Sequence, residues 1–290
     1  MRTCVAPLSS FSSSSLRSSS RSPHSRAHRH QTRLRACCPR YPPIADAGLH
    51  CRCLPACRPG IRGAWTVSYT HLDVYKRQTK DGPLSSLIGR VRLHLGDSEG
   101  RLVNRLDRET SGIVLIAKGA VVAAELGRLV AGSGPGAADK AYSAIVEGHV
   151  SQADWLIDAP LGKDENSPVA IKDCVRADGA AAQTRVRLIR TFVRDEAPFS
   201  LLDVSPLTGR KHQIRIHLAH AGYPIVGDKL YGADEQRYLR LVEGRLTDDD
   251  RRALRMTFHA LHARALAFEW RGQAWRFEAE AGAEFLAFVQ

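Results

Sequence analysis

The sequence has 290 residues, of which 43% are apolar and 25% charged, a composition typical of a soluble globular protein with one large or two small domains. It contains no run of about 18 apolar residues, which argues against a membrane-spanning helix. The net charge is +12, but residues 1 to 66 hold eleven Arg and a single acid, Asp46, whereas residues 79 to 290 are nearly neutral. The overall charge is therefore weak evidence for a polyanionic partner, which has to be argued from local sites.

The first segment, residues 1 to 66, is rich in Ser, Arg, Pro and Cys and shows no apolar period typical of a strand or a helix. We predict that it is disordered. Its composition also resembles an organellar transit peptide, which would imply an organellar enzyme. Cys51, Cys53 and Cys57 lack the paired C-x-x-C spacing typical of a zinc site. Only Cys174 follows this segment, which favours a reducing compartment.

Residues 67 to 78 read VSYTHLDVYKRQ. These residues can be encoded by DNA that, with CT placed in front, is a perfect inverted repeat. That DNA resembles two sequencing-adaptor transposon ends joined head to head. We therefore expect an artificial junction here, an unrelated segment before it, and a globular protein that occupies residues 79 to 290.

The globular part mixes strands and helices. Apolar runs and alternation predict strands at residues 112 to 118, 140 to 148, 184 to 192 and 199 to 206. Composition and spacing predict helices at residues 120 to 130, 208 to 222 and at the C-terminus. A hairpin that turns at Arg271-Gly272 is predicted over residues 259 to 280. Because the strands neither alternate regularly with helices nor cluster apart from them, we predict an α+β domain with a mixed sheet.

Asp107 lies between Arg105 and Arg108, directly ahead of a Thr-Ser-Gly turn and the first predicted strand. Two nearby cations favour the ionised carboxylate, which suits a nucleophile or an ion-pair partner better than a general acid. A structural salt bridge explains the same pattern equally well. Tyr142 lies on a predicted strand, where a core aromatic residue is the default interpretation.

A second basic cluster opens the helix predicted at residues 208 to 222 and consists of Arg210, Lys211, His212, Arg215 and His217. Basic side chains at a helix start suit a phosphate or an RNA backbone, although a solvated helix face is an equally simple explanation. The spacings of His212, His217 and His220 do not match a recognised metal-ligand pair. The segment also lacks the Walker spacing, so ATP binding is not supported.

Five segments together resemble, in the same order along the chain, the motifs of the RluA-type pseudouridine synthases. They are NRLDRETSGIVLIAK, KAYSAIVEG, DGAAAQTRVRLI, LTGRKHQIRIHLAHAGYPIVGDKLYG and LHARALAF. The resemblance implies a mixed, mainly antiparallel sheet with flanking helices and a central RNA-binding cleft. It also implies conversion of uridine to pseudouridine in rRNA or tRNA, with no cofactor and no metal.

The resemblance assigns roles to three residues. Asp107 matches the catalytic aspartate, and Tyr142 matches the active-site tyrosine that stacks on the base and is implicated in proton transfer. Arg215 matches the arginine that pairs with the aspartate. Such an enzyme has to extrude a uridine from its stack. The residues expected to bind the RNA are Arg105, Arg108, Arg210, Lys211 and His212.

Two features depart from the family pattern. Asn104 stands where many relatives have His. The first strands of the family domain, with their Lys-Pro-x-Gly element, are not found, so we expect a catalytic domain that lacks them. The alternative function is a catalytically silent RNA-binding fragment. We expect a monomeric cytoplasmic protein whose partner is structured RNA, without membrane association.

Overall fold

The computed structural model describes residues 49–53, 64–69, 86–95, 100–132 and 136–290. All of these lie in one compact unit, Ala36–Gln290. The strands are β1 (Leu49–Cys53), β2 (Ala64–Tyr69), β3 (Gly100–Leu102), β4 (Ser111–Lys118), β5 (Asp139–Glu147), β6 (Asp154–Asp158), β7 (Leu161–Lys163), β8 (Asp173–Val175), β9 (Gln183–Arg194), β10 (Ala197–Pro206), β11 (Leu261–Trp270) and β12 (Gln273–Glu278). The helices are α1 (Leu87–Leu95), α2 (Ala120–Ala131), α3 (Gln213–His220), α4 (Gln236–Val242), α5 (Asp248–Leu254) and α6 (Ala283–Val289).

Ten strands form one mixed sheet in the order β1-β2-β4-β11-β5-β10-β9-β6, with β3 beside β4 and β12 beside β11. β7 and β8 form a separate two-stranded sheet. The pairing of β4 with β11 is parallel, and every other strand pairing in the described ranges is antiparallel. The α+β class and the mainly antiparallel sheet predicted from the sequence are therefore confirmed.

Two of the hydrophobic cores in the described residues join this sheet to the helices packed on it. The larger core packs Ile214 and Leu218 of α3 and Phe285 of α6 with buried residues of β5, β9 and β10. The second core packs Leu126 of α2 against β4, β11 and β12, and includes the fully buried Leu115. Residues of both cores, among them Ile113 of the second and Ile214 of the first, line one cleft.

Most of the predicted elements are present close to their predicted bounds. The hairpin β11–β12 turns at Arg271 and Gly272, which have φ of 52° and 71°, as a two-residue turn between twisted strands requires. The helix predicted at residues 208 to 222 is shorter than predicted, because it begins only at Gln213. The Gln213 side chain accepts hydrogen bonds from Thr208 Oγ1 at 2.7 Å and from the Arg210 amide at 3.0 Å, which shapes the preceding residues into a turn.

The expectation that residues 1 to 66 lack secondary structure is wrong for β1 and for the part of β2 that they include. β2 pairs with β4 from Ala64↔Ala117 to Tyr69↔Gly112, and so extends the sheet beyond β4. An exposed strand edge offers unpaired amides and carbonyls to any extended segment within reach. Residues 1 to 48, 54 to 63 and 70 to 85 lie outside the described residues, as do the side chains of Cys51 and Cys53.

None of the helices in the described part of the chain is long and apolar enough to cross a membrane. Across the same ranges, no group of three or more His, Cys, Asp or Glu side chains is arranged to hold a metal ion.

Candidate active site

Asp107 lies in the loop between β3 and β4, and the loop is fixed from both ends. At its start, the Asn104 side chain accepts a hydrogen bond from the Leu115 amide at 2.6 Å and donates one to the Ile113 carbonyl at 3.2 Å. At its end, the Thr110 amide donates to the Asp107 carbonyl at 3.1 Å, which closes a turn. The Asn104 side chain therefore ties the loop to the strand that follows it.

The strand after this loop approaches β11 very closely. Gly112 has φ of +114°, and a Cβ atom placed there would lie 2.3 Å from the Ala263 carbonyl oxygen. Only glycine fits both the backbone angle and this contact. Beside it, Ser111 Oγ and His262 Nδ1 are 2.8 Å apart, which links the start of β4 to β11.

Arg215 on α3 reaches the Asp107 carboxylate. Its Nη1 donates to Asp107 Oδ2 at 3.1 Å, with 25% of the Asp107 side chain and 9% of the Arg215 side chain exposed. The other side of the guanidinium donates to Asp228, from Nε to Oδ2 at 2.6 Å and from Nη2 to Oδ1 at 2.9 Å. The Asp228 side chain is fully buried, so one arginine joins a buried carboxylate to a carboxylate that faces the cleft.

The electrostatics keep Asp107 ionised. Burial by itself raises the pKa of Asp107, but the Arg215 guanidinium, with smaller contributions from His212 and His259, outweighs burial and holds the pKa below its ordinary value. Asp228 follows the same pattern: burial raises its pKa and Arg215 lowers it further, so the net direction is down. At neutral pH, Asp107 is thus an anion that can act as a nucleophile or a base.

Tyr142 on β5 lines the same cleft as Asp107, and the cleft has a volume of about 480 Å³. That volume lies within the range of small-ligand sites, roughly 300 to 1,000 Å³. Burial and then the negative charge of Asp107 raise the pKa of Tyr142 to about 12. Its hydroxyl is therefore protonated at neutral pH.

The cleft brings together four of the five residues that the sequence marked for RNA binding: Arg105, Arg210, Lys211 and His212. Arg108 is exposed but is not among the lining residues. Arg210 precedes α3, donates from Nε to the Ala181 carbonyl at 3.0 Å and is exposed. Lys211 lies 2.7 Å from Asp173 in an ion pair.

His212 is the most enclosed of these residues, with 12% of its side chain exposed and φ of 54°. Its Nδ1 lies 2.9 Å from the Tyr231 hydroxyl, and its Nε2 lies 4.0 Å from Asp107 Oδ1. Burial lowers the pKa of His212, and the neighbouring Asp107 only partly offsets this. His212 therefore lines the cleft and also lies beside the Asp107 carboxylate.

Sequence reasoning did not single out the other titratable residues around the loop: Glu109, Asp228, Lys229 and His259. Lys229 Nζ lies 2.8 Å from Glu109 Oε2, and His259 Nε2 lies 2.8 Å from Thr110 Oγ1. A signal was present in the segment GDKLYG, residues 227 to 232, where an acid and a base stand side by side between glycines and apolar residues. Charged residues so placed are buried only when they are paired.

Curated relatives match the part of the chain that carries this site. An uncharacterised RNA pseudouridine synthase of Chloroflexus aurantiacus is 41% identical over 137 residues, 47% of this chain and 40% of that protein. The ribosomal large subunit pseudouridine synthase C of Vibrio cholerae is 38% identical over 131 residues, which cover 45% of this chain and 38% of that protein. The chain thus spans less than half the length of either relative. The dual-specificity RNA pseudouridine synthase RluA of Escherichia coli is 32% identical over 182 residues, which cover 60% of this chain and 80% of that protein.

The solved structure of human RNA pseudouridylate synthase domain containing 1 has the same fold, with a TM-score of 0.57 and 23% identity over 76% of this chain and 80% of that chain. The sequence profile of the family described as RNA pseudouridylate synthase matches residues 70–220, just over half of the chain. Those residues include the loop of Asp107, Tyr142 and Arg215. The chain belongs to the RNA pseudouridylate synthase family.

Proposed function

We propose that the protein isomerises uridine to pseudouridine in structured RNA, either rRNA or tRNA, and that Asp107 is its catalytic residue. The observation that carries the proposal is the Asp107 carboxylate, which Arg215 keeps ionised at a cleft large enough for one nucleotide. Family membership supplies the substrate class, since relatives of this chain are named as RNA pseudouridine synthases.

In the proposed reaction, the bond between N1 of the base and C1′ of the ribose breaks, and a bond between C5 and C1′ forms. The C5 proton leaves and N1 gains a proton, so the reaction is an isomerisation that needs no net oxidation. An anionic Asp107 can attack C1′ or remove a neighbouring proton of the ribose, and both routes need the carboxylate ionised. Tyr142, which lines the same cleft, would stack on the base while it turns.

The basic residues of the cleft have a separate part in the proposal. A uridine inside a duplex or a folded RNA has to leave its stack to reach Asp107, and that costs a few kcal/mol. Contacts with the RNA backbone would offset this cost and position the strand without reading its sequence. The residues proposed to make them are Arg105, Arg108, Arg210, Lys211 and His212.

We also propose that the protein acts in the cytoplasm and is a monomer. Size-exclusion chromatography of the purified chain would test the monomeric state.

The test is tritium release from transcripts that carry ³H at C5 of uridine. Unmodified rRNA and tRNA transcripts are incubated with the wild-type chain, with Asp107→Asn and with Asp203→Asn. Asp203 is a matched control, because it pairs with Arg187 and Arg264 and does not line the cleft. We expect release with the wild type and with Asp203→Asn, and none with Asp107→Asn.

A loss of less than tenfold in Asp107→Asn, about 1.4 kcal/mol of barrier, would exclude Asp107 from the chemistry. RNA binding without any tritium release by the wild type would instead support the alternative, a catalytically silent RNA-binding fragment. Filter binding of the same transcripts separates these two outcomes.

A further inference from the structure

We infer that the tight turn at residues 227 to 232 positions the catalytic aspartate, with Asp228 fixing Arg215 and Lys229 fixing, through Glu109, the loop that carries Asp107. The inference rests on the proposed function, in which Asp107 is catalytic. Asp228 and Lys229 are positioning residues here, because each acts through another side chain.

Asp228 holds the arginine in a single orientation. Its Oδ1 also accepts hydrogen bonds from the amides of Leu230 and Tyr231, at 2.9 and 3.0 Å, so the carboxylate is anchored to the backbone of its own turn. The two hydrogen bonds from Arg215 to Asp228 use Nε and Nη2, which leaves Nη1 to meet Asp107. The Arg215 guanidinium also lies 4.9 Å from the centre of the Tyr231 ring. A planar group held at two edges and one face has little freedom to turn away from Asp107.

Lys229 holds the loop. Its Nζ donates to Glu109 Oε2 at 2.8 Å, to the Thr257 carbonyl at 2.7 Å and to the Gly227 carbonyl at 3.3 Å, so all three of its protons have acceptors. Glu109 is two residues beyond Asp107 in the same loop. The side chains of Lys229 and Glu109 are 5% and 11% exposed, which makes this a buried ion pair.

The backbone of the turn explains why two adjacent residues can reach two different elements. Gly227 has φ of +78°, and a Cβ there would lie 2.8 Å from the Phe258 carbonyl oxygen. A Cβ on Gly232 would lie 2.4 Å from the Asp228 carbonyl oxygen. The turn is thus too tight for larger residues at either end, and it fixes the backbone from which Asp228 and Lys229 extend.

The charges are complementary on both sides of the turn. The acid faces the arginine of α3, and the base faces the glutamate of the loop. Buried ion pairs contribute little net stability compared with apolar residues of similar size, but losing one partner is strongly destabilising because the other charge stays buried. Stability alone therefore does not require charged residues at these positions. Holding Arg215 and the Asp107 loop at a fixed distance and in a fixed direction does require them.

The test separates position from stability by replacing the whole pair. Glu109→Leu alone leaves Lys229 buried without its partner, so we expect it to lose both stability and turnover. The double variant Glu109→Leu/Lys229→Met replaces the pair by apolar side chains. It should recover the melting temperature that the single variant loses. Apolar contacts are not directional, so we expect its kcat for tritium release to stay at least tenfold below wild type, with KM for RNA unchanged.

A matched control treats a second ion pair in the same way. Arg240 and Asp250, 2.6 Å apart, join α4 to α5 and do not line the cleft. The double variant Arg240→Met/Asp250→Leu should keep kcat within about twofold of wild type. If the Glu109/Lys229 double variant regains turnover together with stability, the pair is only structural and the inference is overturned.

A readout independent of turnover keeps the inference testable if the wild type proves inactive. Carbon-13 NMR of labelled aspartates, assigned with Asp107→Asn, reports the pKa of Asp107 in each protein. We expect that pKa to rise in the Glu109/Lys229 double variant, because the loop no longer holds the carboxylate against Arg215. An unchanged pKa in that variant overturns the inference, whereas a wild type without tritium release refutes only the proposed function.

Discussion

His259→Gln should make the stability of the protein less sensitive to acid. The His259 side chain is 1% exposed, its Nε2 lies 2.8 Å from Thr110 Oγ1, and its Nδ1 has no hydrogen-bond partner in the part of the chain that the structure describes. Burial and then the positive charge of Arg215 lower the pKa of His259 to about 3, although Asp228 and Asp107 act in the opposite direction. The folded protein therefore keeps this histidine neutral, while the unfolded chain protonates it below pH of about 6.5.

The size of the effect follows from this difference in pKa. Folding lowers the pKa of His259. The stability that His259 contributes is therefore fully present above its pKa in the unfolded chain, and is lost as the pH falls toward 3. Each pH unit within that window costs about 1.4 kcal/mol, so the loss from His259 between pH 7 and pH 5 is about 2 kcal/mol. Gln can keep the hydrogen bond to Thr110 but carries no titrating group.

The assay is urea unfolding, followed by tryptophan fluorescence, at pH 7, 6 and 5. The wild type also buries His217 and His262, and burial lowers the pKa of both, so its total loss is larger than the contribution of His259. The free energy of unfolding is plotted against pH for the wild type and for His259→Gln, and the difference between the two slopes gives the contribution of His259. His220→Gln, at an exposed position on α3, is the control and should follow the wild type. A His259→Gln protein that loses stability as steeply as the wild type would refute the reasoning.

Three other results are expected. Arg215→Met should lower stability by about 3 to 5 kcal/mol, because it leaves the buried Asp228 carboxylate without a cation to pair with, and should also reduce turnover. Arg210→Met should chiefly weaken RNA binding and reduce its salt dependence by about one unit of slope, measured by filter binding at several salt concentrations; equal loss of binding in both variants with turnover kept would contradict this division. Amplification of the source DNA across residues 60 to 85 should not recover residues 67 to 78 as part of one contiguous gene, and recovery of the intact segment would support the transit-peptide interpretation.

Local patterns predicted the elements whose sequence signal lies within a few adjacent positions. The apolar run of β4 and the turn residues Arg271 and Gly272 each carry their structure in a few adjacent positions. The start of α3 was misplaced because the turn before it depends on the Gln213 side chain, which apolar spacing does not reveal. β2 was missed because the alternation in AWTVSY crosses the boundary at residue 66 that composition suggested, so neither side of that boundary shows it.

The candidate site divides in the same way. Asp107, Tyr142 and Arg215 came from motifs that can be recognised one segment at a time, and the structure brings all three to one cleft. Asp228 and Lys229 lay within such a motif, but their roles depend on contacts with Arg215 and Glu109 that only the folded chain forms. A sequence shows that these charges need partners and does not show which ones.

The parallel pairing of β4 with β11 bears on how the protein is made. Ser111 and His262 meet across this pairing although 151 residues separate them. At a synthesis rate of about 5 to 20 residues per second, β4 leaves the ribosome roughly ten to thirty seconds before β11 does. During that interval its apolar residues, which are buried in the finished fold, have no β11 beside them, and the loop of Asp107 lacks the contacts that come from α3 and the turn at residues 227 to 232. The nascent chain therefore carries Asp107 before α3, the turn at residues 227 to 232 and β11 supply the contacts that fix its loop.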